Sequence, residues 1–128
     1  MSYLLDTCTF LWLISDPQAL SVRAREVVSH LENELFLSVV SVWEMASKFA
    51  QGKLSFPADP YQYIPEIRET HQIRSLPLDE SSALQVAKLP FYHRDPFDRM
   101  LVSQGLSNNL VIISPDELVA KYPVKICW

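Results

Sequence analysis

The sequence predicts an α/β fold with a mainly parallel central sheet, and three observations carry that expectation. Short apolar runs alternate with amphipathic stretches along the chain, the pattern of repeated strand–helix units. Acidic residues recur just beyond apolar runs: Asp6 follows Tyr3-Leu4-Leu5, and Asp116 follows Val111-Ile112-Ile113-Ser114-Pro115. Such positions mark the carboxyl ends of strands, where open α/β sheets form their ligand crevice. The composition, 48% hydrophobic and 20% charged over 128 residues, is that of one globular domain with a core rather than of a disordered chain.

Tyr3 to Leu5 reads as a short buried strand, and Thr7 to Ile14 as a helix broken by Asp16-Pro17. Ser21 is a plausible N-cap for a helix reaching about Glu32. Leu35 to Leu37 is the next strand, followed by a helix from Val40 to Gln51 that Gly52 stops. Asp59-Pro60 opens another helix, with the proline in its first turn. Leu76-Pro77-Leu78 is extended and leads into a helix from Asp79 to Lys88. Asp95 caps a helix that starts at Pro96 and ends near Ser107. Leu110 to Ile113 is the most strand-like run. Ser114-Pro115 starts a last short helix, and Val124 to Cys127 forms an edge strand.

Composition excludes several functions. With Gly52 and Gly105 as its only glycines, the chain has no Gly-rich phosphate loop. Cys8 and Cys127 have neither zinc-ligand spacing nor the density of a disulfide framework, so reduced thiols in a cytoplasm are expected. No secretory leader is expected, because the apolar stretch Phe10 to Ile14 is short and lacks a basic segment ahead of it. No run approaches the roughly 20 apolar residues of a membrane span. A net charge of −4 disfavours general coating of nucleic acid by long-range attraction. It leaves room for a nuclease, because a carboxylate metal site is itself a source of negative charge.

The acids carry the chemistry: Asp6, Glu44, Asp95, Asp98 and Asp116. Carboxylates converging at strand ends repel one another unless a cation neutralises them or some take up protons. A hard divalent ion, Mg²⁺ or Mn²⁺, prefers such oxygen ligands and points to metal-assisted phosphodiester chemistry. Each acid also has a structural explanation. Asp6 and Asp95 sit where an N-cap belongs, worth about 1 kcal/mol, and Asp116, one residue into its expected helix, carries the same ambiguity. Glu44 fits a capping box with Ser41, and pairs with Lys48 at i,i+4 spacing. If Ser38 is the cap instead, Glu44 faces the strand ends. Asp95 and Asp98 share a face of their helix start, where the helix dipole favours negative charge. Capping, however, asks for one acid per helix end and for no particular neighbours.

His30, His71 and His93 are scattered without zinc spacing, and His93, just ahead of the Asp95 motif, reads as a solvated loop residue in preference to a substrate contact. Core packing is the default role for Trp12, Trp43 and Phe49.

Those neighbours carry a resemblance. Leu4-Leu5-Asp6-Thr7 with Phe10-Leu11-Trp12-Leu13, then Ser38 to Lys48 with Gly52-Lys53-Leu54, are similar to the PIN-domain family, specifically its VapC-type toxins. So are His93-Arg94-Asp95-Pro96-Phe97-Asp98-Arg99-Met100-Leu101-Val102-Ser103-Gln104, the most specific stretch, and Ile112-Ile113-Ser114-Pro115-Asp116. The motifs keep the family's order from residue 3 to about residue 126. The resemblance implies a single three-layer α/β/α domain over residues 1–128. It implies a Mg²⁺- or Mn²⁺-dependent endoribonuclease acting on tRNA or other structured RNA, a homodimer, and a VapB-type antitoxin through which alone DNA is bound. It maps the catalytic acids to Asp6, Glu44, Asp98 and Asp116, with Asp95 an additional metal-site acid. Arg94 and Arg99 are candidate phosphate contacts.

Two departures stand out. Ser114-Pro115-Asp116 replaces the usual Thr, small residue, Asp, and Pro115 restricts the backbone there. Gly105 replaces an alanine and weakens its helix by up to about 1 kcal/mol. The rivals are a non-catalytic PIN-fold binding module and a haloacid-dehalogenase-like phosphatase. The phosphatase chemistry needs Asp-x-Asp, and Cys8 occupies the second position.

Overall fold

The computed structural model describes residues 1–128. Five strands form one wholly parallel sheet: β1 (Ser2–Leu5), β2 (Glu34–Ser38), β3 (Arg74–Leu76), β4 (Val111–Ile113) and β5 (Ile126–Cys127). Their order is β3-β2-β1-β4-β5. Six α-helices accompany them: α1 (Thr7–Ser15), α2 (Val22–Ser29), α3 (Val39–Ala50), α4 (Pro60–Thr70), α5 (Glu80–Gln85) and α6 (Pro96–Ser107).

Strand periodicity divides the core. On one face Tyr3, Leu5, Leu35, Leu37, Val111 and Ile113 pack with Phe10 of α1, Ala24 of α2, Met45 of α3 and Ile64 of α4. On the other, Leu4 and Ile112 pack with Leu101 and Val102 of α6. Alternate residues of one strand thus serve opposite layers, as the period of two requires. The sheet is covered on both faces, which is why these strands read as unbroken apolar runs.

The connection leaving β1 leads to β2 on one side, while that leaving β4 leads to β5 on the other. The strand order therefore reverses between β1 and β4, and a crevice opens beyond their carboxyl ends. Register fixes its rim: Leu5 pairs with both Leu37 and Ile113, so Asp6, Ser38 and Ser114 lie level. Asp6 N–H donates to the Ile113 carbonyl at 3.2 Å, and Thr9 Oγ1 donates to the same oxygen at 2.9 Å.

Several local expectations are corrected. Ser114-Pro115 starts no helix. Ser114 Oγ accepts from Asp116 N–H (3.1 Å) and Asp116 Oδ1 from Leu118 N–H (2.8 Å), which closes two side-chain turns. Only a 3₁₀ turn at Val119–Lys121 follows. The helix after Ser21 ends at Ser29, and β3 ends at Leu76 because Pro77 has no N–H for the ladder. Gly105 is more than a weak helix residue. A Cβ there would meet Val124 Cγ2 at 3.0 Å and Ile112 Cδ1 at 3.1 Å, so its bareness lets α6 press against the sheet.

Candidate active site

The acids reach the crevice from different elements, and only Asp6, Asp95 and Asp98 stand at helix starts. Asp6, straight after β1, caps α1 by accepting from Thr9 N–H at 2.8 Å through Oδ1. Ser38 ends β2 and is the cap of α3, accepting from Val40 N–H at 3.0 Å. That decides between the two serines: Glu44 belongs to no capping box and turns towards the strand ends. Its Oε1 accepts from Thr7 Oγ1 at 2.7 Å, and its Oε2 lies 2.7 Å from Lys48 Nζ. Asp95 caps α6 through Oδ1, accepting from Phe97 N–H (2.8 Å) and Asp98 N–H (3.4 Å). Asp98 lies in the first turn and Asp116 in the turn after β4.

Together Asp6, Thr7, Cys8, Leu11, Glu44, Lys48, Asp95, Asp98 and Asp116 line a cleft of about 230 Å³. Asp6 and Glu44 are each only 5% exposed. Capping and convergence therefore coexist, because a carboxylate has two oxygens and a cap engages one. Asp6 Oδ2, Asp95 Oδ2 and Asp98 Oδ1 have no hydrogen-bond partner in the protein. None of the three is sealed from solvent, since Ser82 Oγ is the sole fully buried side-chain polar atom without a partner.

The electrostatics register the crowding. The Asp98 carboxyl is pushed up to about 7, first by burial and then by the neighbouring carboxylate of Asp95, with Asp6 and Glu44 adding to the effect. His93 opposes it. The bond to Glu44 pushes the Lys48 ammonium above its ordinary value. The Cys8 thiol is pushed up to about 12 by burial and by Asp6, whose Oδ1 it approaches at 3.3 Å. It stays protonated and is a poor nucleophile.

Sequence reasoning missed one residue and misplaced two. His93 is not a solvated loop residue. It is 9% exposed, and its Nε2 lies 2.8 Å from Asp116 Oδ2 and 3.1 Å from Asp98 Oδ2. No local signal marks this, because one partner arrives from α6 and the other from beyond β4. Arg99 is not a phosphate contact. It is 7% exposed, and its guanidinium donates to the carbonyls of Pro90 (2.8 Å), Val86 (2.9 Å) and Leu89 (3.3 Å) and to Tyr122 Oη (3.1 Å). With the Phe91 ring 4.1 Å away, it clamps the segment leading to His93. Arg94 is exposed and keeps its candidacy. Trp43 is not a core residue: it is 63% exposed, and its ring packs edge-on against Phe97 at 5.1 Å between centroids.

The donor set fits a hard divalent cation. It consists of carboxylate oxygens, three of them unpartnered and accessible, with Lys48 the one cation lining the cleft.

Comparison with known proteins agrees with this fold. Ribonuclease VapC22 of Mycobacterium tuberculosis is 24% identical over 114 residues, covering 88% of this chain and 85% of that protein. VapBC2 from Rickettsia felis, solved bound to a DNA fragment from its promoter, superposes with a TM-score of 0.76 at 11% identity, over 99% of this chain and 98% of that one. A toxin–antitoxin complex from Klebsiella pneumoniae superposes with a TM-score of 0.64 at 13% identity, over 98% and 96%. At such identities the structural matches speak for the fold. The PIN domain model matches residues 3–125, from β1 to the approach to β5, and the chain belongs to the PIN domain family.

Proposed function

We propose that this chain is a Mg²⁺- or Mn²⁺-dependent endoribonuclease, acting as one domain and as the toxin of a VapBC-type pair. The observation that carries the reading is the set of accessible, unpartnered carboxylate oxygens on Asp6, Asp95 and Asp98, gathered where the strand order reverses. Its likeness to a ribonuclease of known name supports the substrate class.

Asp6, Glu44, Asp98 and Asp116 would hold the cation, with Asp95 beside them. When bound, the ion supplies a water acidified for attack on phosphorus and neutralises charge on the phosphate. To hold the cation Asp98 would have to be ionised, since metal ligands are deprotonated. Thr7 and Lys48 hold the two oxygens of Glu44, which fixes its carboxylate against the neighbouring acids. Arg94, exposed beside Asp95, meets the phosphate backbone of the RNA. Structured RNA such as tRNA is the substrate class, the assembly is a cytoplasmic homodimer, and a VapB-type antitoxin covers the crevice. Exposed Trp43 receives apolar side chains of that antitoxin. No helix here is long and apolar enough to cross a membrane.

The test is incubation of the purified chain with total RNA and Mn²⁺, beside Asp98→Asn and an EDTA control, with sequencing of the cut ends. Discrete cuts bearing 5′-phosphates, absent from both controls, are expected. Ends carrying a 2′,3′-cyclic phosphate would contradict the mechanism, because they mark attack by the RNA's own 2′-hydroxyl. A folded chain that neither cuts nor binds Mn²⁺ would favour the non-catalytic scaffold. The phosphatase reading lacks its second carboxylate, since the Cys8 thiol cannot replace it.

A further inference from the structure

His93 contacts two of the proposed metal acids, and the hydrogen bonding of its ring decides what it does there. Its Nδ1 accepts from the backbone N–H of Asp95 at 3.1 Å. A ring nitrogen that accepts carries no proton, so the proton of the neutral imidazole is assigned to Nε2. That N–H points at Asp116 Oδ2 (2.8 Å) and Asp98 Oδ2 (3.1 Å). A histidine that ligates a metal shows the reverse arrangement: its free nitrogen binds the ion, and its other N–H donates to a carbonyl or carboxylate. Three anchors hold the backbone that carries the ring. The His93 backbone N–H donates to Tyr122 Oη at 3.1 Å, Tyr122 Oη donates to the Pro90 carbonyl at 2.7 Å, and Arg99 grips Pro90 and Tyr122 together.

We propose that His93 is a positioning residue, a fixed Nε2–H donor that bridges the Asp98 and Asp116 carboxylates and presets them for the cation without ligating it. Two carboxylates from separate elements, α6 and the turn after β4, are joined by one donor, so their spacing is set before metal arrives. The bridge engages Oδ2 of Asp98 and leaves its Oδ1 unpartnered for the ion. Asp116 Oδ1 is held by Leu118 N–H, so this carboxylate is fixed at both ends. The proposal rests on the reading of Asp98 and Asp116 as metal acids.

The test is Mn²⁺ binding, followed by electron paramagnetic resonance, in the full chain and in Asp98→Asn, His93→Gln, His93→Asn and His93→Ala, each checked for folding by its thermal transition. Glutamine places an N–H donor near the position of Nε2, whereas asparagine reaches only that of Nδ1. A bridging donor predicts that Gln retains most of the Mn²⁺ affinity, while Asn and Ala lose about 10- to 100-fold, the usual effect of removing such an outer partner. The Gln and Asn variants carry the comparison if Ala fails to fold. A purely structural loop anchor predicts the opposite order, with Asn retaining affinity and Gln losing it, and that result would overturn the proposal. Pulsed spectra of the wild-type Mn²⁺ complex are expected to show no strong coupling to an imidazole nitrogen; such coupling, lost in the histidine variants, would make His93 a ligand and also refute it. If Asp98→Asn abolishes binding while every histidine variant binds like wild type, the positioning role alone fails. If the wild-type chain binds no Mn²⁺, the metal reading fails and takes this proposal with it.

Discussion

At the scale of the residue, Asp98 holds the most distinctive charge in the molecule. Its carboxyl ionises near 7 in the fold against an ordinary value of 3.8. Between those values the folded chain binds more protons than the unfolded one, so the stability this group contributes is fully present below about 4 and lost as pH rises through about 7. The metal-free protein is therefore expected to melt at a lower temperature at pH 8 than at pH 5.5, and Asp98→Asn to flatten that difference. A Tm that rises from pH 5.5 to 8 in the metal-free wild type, and equally in the variant, would show that other groups dominate. The cation competes with the same proton, so Mn²⁺ affinity is expected to fall about tenfold per pH unit below 7. A titration calorimeter reads this directly, and a pH-independent affinity would place the ion elsewhere. Asp6 and Asp116 were legible in the sequence because each follows an apolar strand, and Asp95 and Asp98 because they stand at a helix start. Which of two serines caps α3 was not, since Ser38 and Ser41 both precede Glu44 at acceptable spacing and tertiary packing chooses.

At the scale of the element, the segment from Val86 to Asp95 contains little regular structure and is held by Arg99 and Tyr122. Lysine in place of Arg99 keeps a charge but loses the fork that reaches three carbonyls. Arg99→Lys is expected to cost about 2–4 kcal/mol, as a buried, hydrogen-bonded charge loses partners. Amide exchange should quicken across residues 86–95 more than in β1 or β4. Uniform quickening would mean that Arg99 supports the whole fold rather than this strap. From sequence Arg99 read as a candidate phosphate contact beside an acidic motif, because the carbonyls it binds lie in a segment with no pattern of its own. Gly105 is the counterpart on α6. Alanine would ordinarily raise helix stability by about 1 kcal/mol, but its Cβ would press on Ile112, which is fixed within the core. Gly105→Ala is expected to leave Tm unchanged or lower, and a clear rise in the melting transition would show that α6 can shift outward.

At the scale of the whole molecule, topology assembles the site. Strands β1 and β4 lie side by side although more than 100 residues separate them in the chain, and the acids that follow them meet because the strand order reverses there. The strands and helices were readable because period-two and helical patterns are local, and the caps announced most helix starts. The turn after β4 was misread, since Ser114-Pro115-Asp116 has the residues of a helix start while its side chains close turns instead. His93 escaped notice because its role exists only after α6 and β4 are packed together. The central claim is that this crevice seats a divalent cation. Crystals soaked in Mn²⁺ and measured at the manganese edge test it most directly. The account predicts an anomalous peak among Asp6, Glu44, Asp98 and Asp116, absent from Asp98→Asn crystals. Crystals with an accessible crevice that show no peak there, or a peak that survives the substitution unchanged, would contradict it.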